Sequence, residues 1–335
     1  VDTPEELRWA KKTPHVNERL SPYADDLVFD SILRRKSGKT NDAPIKKVEL
    51  EAIAAAEIGF GDDVPVDPNF HARRLPDNVW RRSNQTVGIE AVIQLHRLKE
   101  VRALTGFTRL EPISPDIQGE FSGPSLAAVL AREPNWFPAV ENRGEGIFLL
   151  LDPSAVMAWQ ERPEVHRRLE VLSKAQEAGA GSRSRTHTFP GGAYVLLHTL
   201  AHMLIQSVST RCGYPASSLK ERIYSNVEDN AYGLLLYTGS PDAEGTLGGL
   251  VQQARSIEDH LASALRKGGL CSNDPICAYH DPGRGMEGRF LHGAACHACT
   301  FISETSCEVR NTWLDRALVV PVLGLPGVAF FEDHG

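Results

Sequence analysis

Six cysteines occur in the 335 residues, and five of them, Cys271, Cys277, Cys296, Cys299 and Cys307, crowd into one stretch while Cys212 stands alone. The spacing is C-x5-C, a gap of 18 residues, C-x2-C, then seven residues and a further Cys. A knuckle such as Cys296-His297-Ala298-Cys299 lets two thiolates and nearby backbone amides wrap one ion. Tetrahedral zinc then takes two more ligands from a second turn further along the chain. Cys271 and Cys277 stand at a suitable distance, Cys307 is a fifth candidate, and His280, His292 or His297 could substitute. Zinc takes four ligands and five thiols are offered, so one cysteine is left to support the site or stand idle. An iron–sulfur cluster, also held by four thiolates, is the alternative metal; a redox C-x2-C pair or unrelated buried thiols are the metal-free alternatives. A structural site has four protein ligands and no open position. Its work is to clamp loops poor in apolar residues, here Ser272-Asn273-Asp274-Pro275 and His280-Asp281-Pro282-Gly283-Arg284-Gly285, so that metal binding supplies folding free energy.

Other motifs point to chemistry less completely. His198-Thr199-Leu200-Ala201-His202 places two imidazoles at i and i+4 on one helix face, where they could share a zinc. The metalloprotease form of this motif carries Glu at its second position to activate water, and Thr199 cannot serve as that base. An interior helix with hydrogen-bonded histidines is the plainer reading; a nuclease using this face with nearby acids is the enzymatic one. Gly38-Lys39-Thr40 ends like a phosphate loop, but Leu33 occupies the position where the loop must begin with glycine. The glycine-rich stretch Gly239 to Gly249 reads as a strand-to-helix turn, with anion binding at the helix start as the functional alternative. Between residues 71 and 110 lie eight Arg or Lys against three acids. Arg73, Arg74, Arg81, Arg82, Arg97, Arg102 and Arg109 in that stretch make either a solvated face or a surface for nucleic acid or a partner.

These residues need a scaffold, and the composition allows one. The chain is 41% hydrophobic and 24% charged with a formal charge of −7, which suits a globular protein and argues against a free-standing, non-specific nucleic-acid binder. No uncharged apolar run reaches the roughly 18 residues of a membrane-spanning helix. The chain opens on Val-Asp-Thr-Pro without a Met or a charged-then-apolar leader, which points to the cytoplasm and to a piece of a longer chain. Residues 1–110 read as an irregular and helical region facing a partner or DNA. Within it, a short helix spans 48–58 up to a turn at Gly59-Phe60-Gly61, and 85–110 mixes strand and helix, with Leu95, Leu98 and Val101 at helix spacing. After a linker at 111–124, residues 111–335 read as a mixed α/β domain, a mixed sheet flanked by helices, with a zinc-binding tail at about 268–316. Gly146 to Leu151 is a strand buried on both faces, followed by a helix capped by Asp152 and reaching about Ala175. A central helix spans about Gly192 to Arg211, strands cover Arg222 to Ser225 and Gly233 to Thr238, and a helix runs from Leu250 to Lys267. A helix opening near Glu304 and a strand around Leu318 to Val322 close the pattern.

Several of these blocks resemble a known family. They are Leu197-His198-Thr-Leu-Ala-His202, Leu234-Leu-Leu-Tyr-Thr238, Glu244-Gly-Thr-Leu-Gly-Gly-Leu250, Cys271-x5-Cys277, Ala295-Cys-His-Ala-Cys299, Glu304-Thr-Ser-Cys-Glu308 and Asn311-x2-Leu314-Asp315-Arg316. Together they resemble the zinc-binding domain at the C-termini of MrfA-type DNA-repair helicases and, more closely, the DrmB subunits of bacterial DISARM antiphage systems. Arg97-Leu-x2-Val101-Arg102, Gly106-Phe-Thr-Arg109 and Gly144-Glu-Gly-Ile-Phe148 extend the likeness over about residues 85–330. The resemblance implies a non-catalytic, zinc-binding accessory subunit that pairs with a helicase-like ATPase of the DrmA type, the complex acting on phage DNA. It also implies that the family's four-cysteine core corresponds to Cys271, Cys277, Cys296 and Cys299, with Cys307 competing for a place.

Overall fold

A strand that reads as a continuous apolar run must be covered on both faces, and residues 147–151, the last part of the strand Ala139–Leu151, meet that condition at the centre of a sheet. In the computed structural model the described residues are 3–21, 23–36, 44–59, 67–82, 87–104, 106, 136–180, 189–238, 249–282 and 291–332. They fall into two compact units, Val1–Pro44 and Ile45–Gly335. The first carries helices α1 (Pro4–Ala10), α2 (Pro14–Leu20) and α3 (Asp25–Lys36). The α1 start is capped by the Thr3 hydroxyl, which accepts from the Glu6 amide at 3.2 Å.

The second unit is built on a five-stranded sheet in the order β1-β2-β3-β5-β4. Its strands are β1 (Phe70–Arg74), β2 (Ile89–Ala103), β3 (Ala139–Leu151), β4 (Leu219–Asn226) and β5 (Ala231–Thr238), and every pairing is antiparallel. Around it lie α4 (Ile45–Ala54), α5 (Asp77–Trp80), α6 (Pro153–Gln160), α7 (Pro163–Ala180), α8 (Gly192–Cys212), α9 (Gly249–Gln253) and α10 (Ile257–Gly268). The fold class is mixed α/β, as the sequence indicates. Ile147, Leu149 and Leu151 of β3 share one core with α8, while Phe148 points to the opposite face and packs with Leu50 and Ile53 of α4. That alternation explains the uninterrupted apolar text of β3. Helix α8 is buried along most of its 21 residues and ends on Gly213 in a left-handed conformation (φ +74°). Among the described residues, no helix is long and apolar enough to cross a membrane.

Five expectations are corrected. Residues 89–103 form one strand, not a strand and a helix: the register of β2 shifts between Leu95 and Leu98. A bulge there puts residues three apart on the same face, and both leucines join the α4-side core. The break near residue 110 does not separate two domains, because β2 and β3 on either side of it pair through the sheet. The helix expected at 48–58 stops at Ala54, and Ile58 instead bridges to Arg74. Residues 304–306 and 318–322 hold turns, with a 3-10 turn at Arg316–Leu318, in place of a helix and a strand. Leu318, Val319 and Val320 are fully buried all the same, which is why they read as a strand.

Gly233 on β5 marks a tight point of the sheet, since a Cβ there would lie 2.2 Å from Phe148 Cζ. Gly233→Ala is expected to lower stability by about 1–3 kcal/mol through overpacking, read as a lower denaturation midpoint; an unchanged midpoint would show that the ring yields freely.

Candidate metal centre

The chain leaves α10 at Gly268, and among the described residues beyond it lies no further α-helix or multi-residue strand. Two tight turns carry the thiols instead. In the first, the Asp274 amide donates to the Cys271 carbonyl and the Cys277 amide to the Asn273 carbonyl, both at 3.0 Å. In the second, the amides of Cys299 (3.2 Å) and Thr300 (3.0 Å) both donate to the Cys296 carbonyl. The turns face each other. Sγ–Sγ separations are 3.5 Å for Cys271–Cys296, 3.6 Å for Cys296–Cys299 and 3.8 Å for Cys277–Cys299, and all four sulfurs lie within 4.8 Å of one another. A tetrahedron with metal–sulfur bonds of about 2.3 Å has edges of about 3.8 Å, so the spacing fits one zinc ion. All four cysteines are free of disulfides. His280, His292 and His297 are not part of this group.

The electrostatics of the quartet favour a cation. Burial pushes the Cys271 thiol up to about 11. Cys277 is driven well above the ordinary thiol range, first because its S–H donates to Cys299. That same donation brings Cys299 down to about 5. The protein alone therefore supports one thiolate readily among four crowded sulfurs, and a dication would stabilise the rest. Donors stand ready for the charged sulfurs: the Asn273 amide reaches Cys271 Sγ and its Nδ2 reaches Cys296 Sγ, each at 3.4 Å.

What holds these turns to the α/β body is a pair of adjacent charged residues that the sequence reading quoted without assigning a role. Asp315, wholly buried, accepts from Arg168 Nε at 2.7 Å and from the amides of Ala294 (3.0 Å) and Ala317 (3.1 Å). Its own amide donates to the Thr199 hydroxyl of α8 at 2.9 Å. Gly293 is needed beside it, because a Cβ would come within 2.3 Å of Asp315 Oδ2. Arg316 is equally buried; its guanidinium pairs with Asp274 of the first cysteine turn and donates to the Gly268 carbonyl at 3.0 Å. Each buried charge is thus spent on fixing a loop.

Cys307, the fifth thiol offered for the ion, does not join the other four. Its sulfur lies 3.2 Å from His198 Nε2, in a second group with His202 and Glu221. The expected placement of the two imidazoles on one face of α8 is present, the rings meeting edge to face with centroids 4.5 Å apart. Glu221, on β4, was not singled out from sequence; in an alternating strand nothing distinguishes an inward glutamate from an outward one. Burial alone would raise its carboxyl, but the two imidazoles hold it well below the carboxylate range. Burial depresses His202 and Glu221 overrides it, raising that imidazole to about 9. Cys307 is lowered by His198 and His202 in spite of its burial and of Glu221.

The basic stretch is partly engaged within the chain. Arg74 lies 3.8 Å from Glu90, Arg81 donates to the Ile89 carbonyl at 2.7 Å, and Arg82 donates through its amide to Glu258 at 3.0 Å. Arg102 pairs with Glu100 at 2.9 Å, Arg73 donates to His71 at 3.2 Å, and Arg97 sits on β2 opposite His71. Arg109 lies outside the described residues, as do Gly38 to Thr40 and most of the glycine-rich junction. Where that junction ends, the Leu250 amide at the start of α9 is taken by Glu145 at 2.8 Å, so the chain supplies its own anion there.

A cysteine quartet of this geometry defines a zinc-binding domain, and the sequence family described as the MrfA Zn-binding domain matches residues 200–300. The matched span reaches from α8 through both cysteine turns. The chain is also 38% identical over 298 residues to DISARM protein DrmB of Bacillus paralicheniformis (strain ATCC 9945a / NCIMB 11709 / CD-2), covering 86% of this chain and 49% of that protein. The chain spans about half the length of that relative.

If the four sulfurs share an ion, Cys277→Ser or Cys299→Ser will strip it and release the two cysteine turns, 271–280 and 296–300. Hydrogen exchange should then lose protection across those turns while β3 and β5 stay protected. Unchanged protection in the turns would contradict a metal clamp.

Proposed function

We propose that Cys271, Cys277, Cys296 and Cys299 hold one zinc ion as a closed structural site, and that the domain it fastens is a non-catalytic docking subunit of an antiphage complex in the bacterial cytoplasm. The observation that carries this reading is the quartet itself. Four thiols at tetrahedral spacing fill every position of the ion, so no place is left for water or substrate, and the ion can shape a surface but not run a reaction. The likeness to DISARM protein DrmB supports an antiphage setting; within it we assign the chain a helicase-like ATPase partner of the DrmA type, with DNA engaged through the complex. An acidic chain suits this division of labour, since a motor would provide most of the phosphate contacts. Arg73 and Arg97, on the neighbouring strands β1 and β2, and Arg102 further along β2 are the residues we assign to partner or DNA contact.

A nuclease acting through His198 and His202 has little geometric support. Cleavage of a phosphodiester needs the phosphate to reach the catalytic groups, and both imidazoles are 0% exposed.

The reading is tested with the purified full chain and a helicase-like ATPase of the DrmA type. The chain alone should hydrolyse no ATP, should co-elute with the ATPase, and should raise its DNA-stimulated turnover. Enzyme-like ATP hydrolysis by the chain alone, or separate elution at micromolar concentrations, would contradict it.

A further inference from the structure

Beyond the four-thiol site, His198, His202, Glu221 and Cys307 converge in the interior from three separate parts of the fold: α8, β4 and the loop after the second cysteine turn. Their exposures are 0%, 0%, 2% and 9%, so the group is sealed from solvent. His198 Nε2 lies 2.9 Å from Glu221 Oε1 and 3.2 Å from Cys307 Sγ; His202 Nε2 lies 3.3 Å from the same Glu221 oxygen. All four ligand atoms lie within 4.8 Å of one another.

The outer ring nitrogens fix the tautomers. His198 Nδ1 faces the Trp313 carbonyl at 3.2 Å and His202 Nδ1 faces the Thr300 carbonyl at 2.9 Å. A carbonyl only accepts, so both Nδ1 atoms carry hydrogen, and each neutral ring then turns the lone pair of Nε2 inward. This is how metal-ligating histidines are held, with the second nitrogen donating to a backbone carbonyl. Inward of them stands another acceptor, the Glu221 carboxylate. Acceptors facing acceptors at such distances need positive charge between them, either as protons on both Nε2 atoms or as a cation.

The arrangement of the carboxylate separates these two possibilities. Two imidazolium donors would be served best by one oxygen each. Instead both rings crowd Oε1, which also takes the Glu308 amide at 3.3 Å, while Oε2 is buried with no hydrogen-bond partner. An unsatisfied buried acceptor of this kind costs on the order of 1–3 kcal/mol. His198 Nε2 is likewise within reach of both Oε1 and Sγ, more than one N–H can serve well. The atoms converge on a point; they do not pair off. Two neutral imidazoles, one carboxylate and one thiolate carry a charge of −2, which a dication cancels. A tetrahedron with bonds of about 2.0–2.3 Å to nitrogen, oxygen and sulfur has edges of about 3.3–3.6 Å, close to the separations observed.

We infer that His198, His202, Glu221 and Cys307 form a second, closed metal site for a zinc-type divalent cation, tying the centre of α8 to β4 and to the cysteine-bearing tail. The mixed set of two imidazoles, a thiolate and a carboxylate suits zinc over the hard cations magnesium and calcium. Its burial makes it structural. The two centres are also neighbours in the chain: Thr300, whose carbonyl holds His202, follows Cys299 directly. Four-thiol ligation on one side and mixed ligation on the other thereby fix the same turn.

The test uses the full chain, reloaded by dialysis against excess zinc and desalted. Elemental analysis is expected to find two zinc ions per chain, and zinc K-edge absorption a mean shell of five sulfurs to three nitrogen or oxygen atoms over the two ions. Cys307→Ser and His202→Gln should each lower the count from two to one and return a pure sulfur shell. One ion per chain in an all-sulfur shell in the wild-type protein would overturn the second site and leave the first intact, whatever the variants do. One ion in a mixed shell would overturn the four-thiol assignment and keep this one; no bound ion would overturn both.

Discussion

The constraint on which the C-terminal part of this protein depends is that it must fix a stretch whose described residues hold no α-helix and no multi-residue strand. From Cys271 onward, the described chain is held by turns, by buried charges, by sulfur and, from Trp313 to Phe331, by apolar side chains that join the main core. Tight turns of this kind leave little apolar surface to bury, so their ordering entropy is not met by the hydrophobic effect alone. Four converging sulfurs supply the alternative: a cation that binds them all makes the folded arrangement the tight-binding one. The charged pair Asp315 and Arg316 completes the work. Asp315 ties the segment to α7 through its carboxylate and to α8 through its amide, and Arg316 ties it to the first cysteine turn and the end of α10.

Helix α8 is the element against which β4, β5, α6, α10 and the buried turn at Arg316–Leu318 are placed. One part of its surface packs on the sheet through Leu200, Leu204 and their neighbours, and another faces the tail with His198, Thr199 and His202. His198, Thr199 and His202 are as buried as the leucines of α8, and each is used to hold a loop. Thr199, which stands where a metalloprotease would carry its base, accepts the Asp315 amide and donates to the Val195 carbonyl at 2.7 Å. The motif is therefore architectural, and its likeness to a catalytic pattern comes from sharing helix periodicity.

The sequence made the central elements legible where one physical signal dominated. An apolar run without alternation marked β3, a helix apolar on most sides marked α8, and the Asp152-Pro153-Ser154 cap marked the start of α6, where Asp152 accepts from the Ser154 amide at 2.9 Å. Legibility failed where two effects overlapped. The bulge in β2 mimicked helical spacing, and the buried turn at 316–320 mimicked a strand. The two cysteine turns were readable from spacing alone, as was the offer of a fifth thiol. Its real neighbours were not, because Glu221 lies 86 positions from Cys307 in the sequence and only the fold of β4 beneath α8 brings the two together. Glutamate inside a strand gives no sign of its direction until the sheet is known.

The most direct test of the central claim is NMR of the full chain loaded with a spin-half cadmium isotope in place of zinc. The account predicts a strongly deshielded cadmium resonance, of the kind given by four thiolates, with scalar coupling to the β-protons of Cys271, Cys277, Cys296 and Cys299. A spectrum in which no cadmium couples to that set of four cysteines would contradict it.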